Sequence, residues 1–138
     1  EPIEGTEKSF DVDTICIAVG LNPMTQLLRM AGCKTAFVPA LGGRLPAHDL
    51  NQETSVKGIY VAGDVSGIEE ASTAVIEGRI AGLAIAHSLD YLDEAAFQDQ
   101  RAQQFASMKG LRSGSHGEQR GTAKEYLNAV MKGTMNAL

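Results

Sequence analysis

The stretch that most constrains this chain is Gly58–Ser72, GIYVAGDVSGIEEAS, where an apolar run meets a Gly-Asp turn and then a helix-forming segment rich in small residues. Gly58-Ile59-Tyr60-Val61-Ala62 has the β-branched and aromatic content of a buried strand, and Gly63 breaks it where a turn is needed. Asp64 then stands at the mouth of the following helix. In an open α/β sheet, free N–H groups at such a helix start, beside the carboxyl end of a strand, line the usual ligand crevice. The chemistry is therefore expected at this junction.

Composition narrows the setting. The chain has 138 residues and 43% hydrophobic content, enough for one domain with a real core. Twelve basic residues against 17 acidic ones leave a net charge of −5, with no basic block to track a phosphate backbone, so nucleic acid is not an expected partner. No stretch approaches the roughly 18–20 apolar residues of a membrane span, and the amino terminus lacks a signal-peptide pattern. A cytoplasmic protein is the default expectation. The first residue is Glu1, and the sequence starts in a polar run, EPIEGTEKSF, as a piece of something longer would. Cys16 and Cys33 form no C-x-x-C pair and read as small core residues.

Asp13–Val19 is a near-continuous apolar run closed by Gly20, which reads as a buried strand of a parallel sheet. Asn22 before Pro23 signals a helix start, with Leu27, Leu28 and Met30 on the inner face and Gly32 at its end. Ala36-Phe37-Val38, the Gly42-Gly43 turn and Arg44-Leu45-Pro46 suggest a hairpin. Residues 47–57 are polar and read as a loop. From Glu69 to about Leu89 the chain is helical, because Ala, Leu and Ile dominate and Pro is absent. Ala71, Ala74, Gly78, Ala81, Gly82 and Ile85 make one face unusually slim. Glycine in a helix costs up to about 1 kcal/mol relative to alanine, so that face implies either tight packing on a sheet or contact with a cofactor.

After Tyr91 the character changes. Asp93–Lys109 is an amphipathic helix with Phe97, Phe105 and Met108 on one face. Gly110, Gly114, Gly117 and Gly121 then punctuate what reads as a polar loop, and Thr122-x-x-Glu125 reads as a capping box that starts a last helix with Leu127, Val130, Met131 and Leu138 as its stripe. Residues 91–138 thus form an all-helical tail without recognisable chemistry, folded back on the core or used for contact with a partner.

Several motifs fail on inspection. Gly32-Cys33-Lys34-Thr35 lacks the glycines of a P-loop, and His48, His87 and His116 have no second ligand at metal spacing. Neither G-x-S-x-G nor G-x-G-x-x-G occurs. No catalytic or metal-binding residue is assigned. Asp64 reads either as a dipole partner of the helix or as an acceptor for ligand hydroxyls. Glu69 and Glu70 would repel a phosphate beside them, which leaves the N–H groups around Glu70, Ala71 and Ser72 for a neutral or delocalised acceptor, with any pyrophosphate nearer Gly63 and Asp64.

Thr54–Val65, TSVKGIYVAGDV, resembles the second FAD-binding fingerprint, T-x-x-x-G-h-h-h-x-G-D, of the FAD-dependent pyridine nucleotide-disulfide oxidoreductase superfamily. Upstream, Asp13–Pro23, DTICIAVGLNP, is similar to the shorter motif with G-x-x-P, here Gly20 to Pro23, at which such chains return from the NAD(P) domain to the FAD domain. The run EEASTAVIEGRIAGLA looks closest to the amine and amino-acid dehydrogenase or opine-oxidase type subunits.

The resemblance implies an α/β fold: the carboxyl-terminal part (residues 1–90) of a three-layer, Rossmann-like FAD-binding domain, followed by the helical tail (91–138). It implies that FAD is contacted by Gly20, Gly63, Asp64, Val65, Glu70, Ala71 and Ser72. The Asp64 carboxylate would accept from the ribityl chain, and the Glu70-Ala71 peptide would sit at the pyrimidine edge of the flavin. The amino-terminal G-x-G-x-x-G, the NAD(P) fingerprint and a redox C-x-x-C are absent from this sequence. The expectation is half of an FAD site in an oxidoreductase acting on NAD(P)H or a small amine-type substrate, with NAD(P) held elsewhere and the isolated piece inactive. The expected partners are that substrate and the rest of the flavoenzyme or another subunit, with self-association through exposed apolar surface. The rival expectation is a non-catalytic flavoprotein-like module that serves as a subunit contact.

Overall fold

Apolar side chains become a core only where a neighbour covers them, and in this chain the first apolar run has none. The structure is a computed structural model that describes residues 3–134. Residues 11–20 run without regular structure, and Ile15, Ile17 and Val19 stand 75–90% exposed. This corrects the expected buried strand at Asp13–Val19, and with it the core placement of Cys16, which is exposed. A parallel strand needs a neighbour reached by a crossover. Among the described residues no such neighbour exists.

The helix expected from Asn22-Pro23 is a short one, α1 (Gln26–Met30), preceded by Thr25. Its expected inner face is turned outward: Leu27 and Met30 are exposed, while Pro23 and Thr25 are buried. The hairpin is as expected, with β1 (Thr35–Val38) antiparallel to β2 (Gly43–Pro46) and Ala36 opposite Leu45. A 3-10 turn at Pro39–Leu41 joins them and ends on Gly42 at φ +97°. A Cβ at Gly42 would lie 2.8 Å from Ile68 Cδ1, so both backbone and space require glycine there.

The polar stretch 47–57 is not a surface loop throughout. His48, Gln52 and Thr54 are buried, and isolated bridges pair His48 with Thr54 and Glu53 with Tyr60. Thr54 Oγ1 donates to Val56 O and accepts from Val56 N, Thr54 N donates to Ile59 O, and Glu53 Oε1 accepts from Gly58 N. The segment Gly58–Ala62 is held by this knot and is no strand, which corrects the second expected strand. The two-stranded hairpin is the whole sheet among the described residues, so the chain has an α/β composition without a parallel layer.

Helix α2 (Ala71–Ser88) and helix α3 (Glu94–Leu111) fall where the pattern puts them. Asp93 caps α3 by accepting from Ala96 N at 2.8 Å, an arrangement worth about 1 kcal/mol. The two helices run antiparallel: Ile76 and Ile80 pack on Met108 and Phe105 at one end, and His87 stacks on Phe97 at 4.5 Å at the other.

Helix α4 (Ser115–Lys132) corrects the expected polar loop, because it starts at Ser115 and runs through Gly117 and Gly121. Thr122 is no cap: its hydroxyl donates to Glu118 O inside the helix. A Cβ at Gly117 would sit 2.6 Å from the Arg112 carbonyl carbon and oxygen. Gly117→Ala is therefore expected to cost about 1–3 kcal/mol by forcing the α3–α4 corner apart. A lower urea midpoint checks it, and an unchanged midpoint would show that the corner yields freely. The α4 stripe closes on the hairpin. Leu127 and Val130 bury against Ala36, Val38, Leu41, Leu45 and Ala47, with Met131 half-buried beside them. Leu138 lies outside the described residues. Full burial of each leucine contributes about 1.5–3 kcal/mol. Within the tail, α4 is thus packed on the hairpin and α3 on α2.

Candidate functional site

Val61 is buried and its N–H donates to Gln52 O, which fixes the approach to the Gly-Asp junction. Gly63–Ser66 then turns as one 3-10 turn, with Gly63 at φ +73° and room for a Cβ of ordinary contact, 3.4 Å from Ala74 Cβ. The left-handed backbone, more than crowding, is what asks for glycine.

The inner side of this turn is fully bonded. Glu77 of α2 accepts from Gly63 N at 2.9 Å and from Ser66 Oγ at 2.8 Å through Oε2. Its Oε1 accepts from Lys124 Nζ of α4 at 2.7 Å and from Arg112 Nη2 at 3.2 Å. Lys124 Nζ also donates to Ser66 O and Ser66 Oγ, both at 2.9 Å, so all three of its protons are used. Arg112 forks onto Glu69, with Nε to Oε2 at 3.0 Å and Nη2 to Oε1 at 2.6 Å. Glu69 and Glu77 balance Arg112 and Lys124 in charge. Burial pushes the Glu77 carboxyl up, but the Lys124 charge and hydrogen bond, with Ser66 Oγ and Gly63 N–H, outweigh it and hold the group below its ordinary value.

The outer side is open. Asp64 is exposed, and its carboxylate has no partner among the described residues. Glu70 occupies the position before α2, its carbonyl accepts from Thr73 N and Ala74 N, and Arg120 Nη1 stands 3.7 Å from its carboxylate. The N–H groups of Ala71 and Ser72 meet no acceptor among the described residues. They form the positive end of an 18-residue helix. Among the described residues nothing comes within 4 Å of a Cβ built at Gly78 or Gly82, so the slim face of α2 is uncovered by them at those positions. The structure thus brings Gly63, Asp64, Val65, Glu70, Ala71 and Ser72 onto one turn and the adjoining helix start. Gly20 lies in the exposed segment at φ +103°, with nothing among the described residues within 4 Å of its Cβ position.

A cleft of about 490 Å³ opens elsewhere, between the 48–52 segment and α2, α3 and α4, lined by His48, Gln52, Ile80, Met108, Arg112 and Lys124 among others. Asp64 and the α2 start do not line it. His48 Nδ1 donates to Asp49 O at 3.0 Å, and its buried Nε2 has no partner among the described residues. Burial and then the Lys124 charge hold the His48 pKa below 6.5, so the ring is neutral. Among the described residues no cluster of His, Cys, Asp and Glu could hold a metal ion, and no helix is long and apolar enough to cross a membrane. The side chain of His116 lies outside what the structure describes.

Sequence reasoning missed Glu77, Arg112 and Lys124. A signal existed for two of them. Glu77 is the lone acid among Thr73, Ile76, Ile80, Ala81 and Ala84 on the buried face of α2, and Lys124 stands one turn before Leu127 on the stripe of α4. A charge inside an apolar stripe requires a buried partner.

The sequence is similar to several known proteins. The chain is 41% identical over 70 residues to an opine oxidase subunit of Rhizobium meliloti strain 1021, covering 51% of this chain and 15% of that protein. It is 36% identical over 78 residues to the corresponding opine oxidase subunit of Agrobacterium tumefaciens strain Ach5, covering 56% of this chain and 16% of that one. Hydrogen cyanide synthase subunit HcnB of Pseudomonas aeruginosa is 30% identical over 112 residues, 80% of this chain and 24% of its own, a span that reaches into the helical tail. The chain therefore spans about 15% of the length of the opine oxidase subunits it matches. No solved structure matches it. Residues 1–78, which end one position past Glu77 and take in the whole Gly-Asp junction, match the pyridine nucleotide-disulphide oxidoreductase family, and the chain belongs to that family.

Proposed function

We propose that this chain is the carboxyl-terminal part of an FAD-binding domain in a larger oxidoreductase, where it supplies the face that meets the ribityl chain and flavin edge. The observation that carries this reading is the two-sided turn at Gly63–Ser66. Its inner bonds are all satisfied, while the Asp64 carboxylate and the Ala71 and Ser72 N–H groups are left without partners among the described residues, beside an open helix face. A free carboxylate suits ribityl hydroxyls, and free N–H groups at a helix start suit the flavin carbonyl edge. The Gly63 N–H is spent on Glu77 and would not serve the cofactor. FAD, when bound, supplies hydride acceptance and donation. The chain's own part is to orient it and to lend positive potential at the α2 start, where reduced flavin gathers negative charge.

On this reading residues 1–90 belong to the cofactor domain and 91–138 close over it as a helical unit. The exposed Ile15, Ile17 and Val19 are surface for the remaining strands of that domain. The similarity to opine oxidase subunits favours a small amine-type substrate and a further polypeptide of the same enzyme as partner.

The test is flavin content. The longest native product carrying this sequence should show flavin absorbance bands, and Asp64→Ala in it should weaken FAD binding about 10–100-fold, the loss of a charge-assisted hydrogen bond or two. Undiminished flavin stoichiometry in the variant after dilution would overturn the assignment.

A further inference from the structure

We propose that Lys124 and Glu77 form a brace that positions the Gly63–Asp64 turn, so that the helical tail sets the geometry of the flavin contact; this rests on the FAD reading above. A buried ion pair that only held helices together would place its bonds between helices. Here most of them go to the turn. Both contacts of Glu77 Oε2 are to the turn, at Gly63 N and Ser66 Oγ, and two of the three Lys124 Nζ bonds are to Ser66. The Lys124 stem also packs beneath the turn's exit, since a Cβ at Gly67 would lie 3.2 Å from Lys124 Cε. Arg112, from the corner after α3, bonds Glu77 Oε1 and carries the brace to Glu69, one position before the Glu70-Ala71 peptide. The tail thereby reaches both ends of the segment that would face the flavin. Bonds on the inner side orient what stands on the outer side: Asp64 has no side-chain partner among the described residues, and its place is set by Gly63 and Ser66. Lys124 and Glu77 act through that turn and are positioning residues.

The test reads the turn and the cofactor separately. In the full 138-residue chain, Lys124→Met should shift the Gly63 and Ser66 backbone amide resonances. Phe97→Ala, which loosens the far end of the α2–α3 packing where His87 stacks on Phe97 but leaves the brace, should leave them in place. Where Lys124→Met does not fold, Glu77→Gln is read the same way. A folded brace variant with an unmoved Gly63 resonance overturns the proposal. In the longer flavin-carrying protein, Lys124→Met should weaken FAD retention about tenfold, the effect of losing charge-assisted bonds. Undiminished FAD retention with a displaced Gly63 overturns the tail's role in cofactor positioning. A longer wild-type protein without flavin overturns the FAD reading instead, and the Gly63 resonance still decides the brace.

Discussion

Glu77→Ala is expected to destabilise the chain by about 3–5 kcal/mol, because it takes the hydrogen-bonded counterion from a buried cation and leaves it only Glu69, 3.7 Å away. Lys124 is 7% exposed and holds Glu77 at 2.7 Å, while Gly63 N and Ser66 Oγ lose their shared acceptor at the same time. Such a loss is a large fraction of the about 5–15 kcal/mol that holds an ordinary domain together. Urea denaturation should show a much lower midpoint or no cooperative transition. The pair Glu77→Met with Lys124→Met should recover the share of the loss that comes from the unpaired charge, while Gly63 N and Ser66 Oγ stay without their acceptor. A single variant as stable as the parent would mean that water reaches Lys124.

The same groups set the acid response. The Glu77 carboxyl is depressed below 4.5 in the fold, so its contribution is fully present above that pH and is lost as pH falls through the folded value. His48 is held neutral, below 6.5, so the unfolded chain takes up its proton first, and stability begins to decline as pH drops under that value. Urea midpoints should therefore fall in two phases on acidification, and His48→Gln should remove only the earlier one.

Leu127→Ala is expected to cost about 2–5 kcal/mol, the usual range for emptying a fully buried leucine site. Leu127 has no exposure and meets Leu41, Leu45 and Val38 of the hairpin region, so the cavity opens where α4 docks. Tyr126 is half-buried beside the same cluster, and there is no tryptophan to obscure it. Near-ultraviolet circular dichroism of tyrosine should report loosening of α4 alongside the fall in denaturation midpoint. An unchanged midpoint would show that α4 contributes nothing to the fold.

Helices α2 and α3 were legible because their signals are local: alanine-rich composition, the Asp93 cap, and Phe97 and Phe105 spaced with Met108 on one face. The hairpin was legible through Gly42-Gly43. Asp13–Val19 has equally good strand chemistry, yet a strand is a pairwise object, and its pattern cannot say whether a neighbour is present. The start of α4 was obscured by Gly117, whose presence answers to the Arg112 backbone and not to a loop. At the candidate site the turn at Gly63 and the helix after it could be read from the residues, while the strand expected before them, Gly58–Ala62, is not there. The turn's support could not be read, because Glu77 and Lys124 are distant in sequence and meet only when α4 folds back.

That distance orders the folding of the chain. The Glu77–Lys124 contact closes a loop of 47 positions, and Lys124 reaches Ser66 across 58. Closing such loops costs chain entropy before any bond rewards it. During synthesis α2 and α3 emerge first and can pair as a local hairpin of helices, but Glu77 has no Lys124 counterion until residue 124 leaves the ribosome. The Gly-Asp turn therefore lacks its Lys124 support until α4 has formed, and a nascent chain stopped at the end of α3 would hold that turn by its local bonds and Glu77 alone.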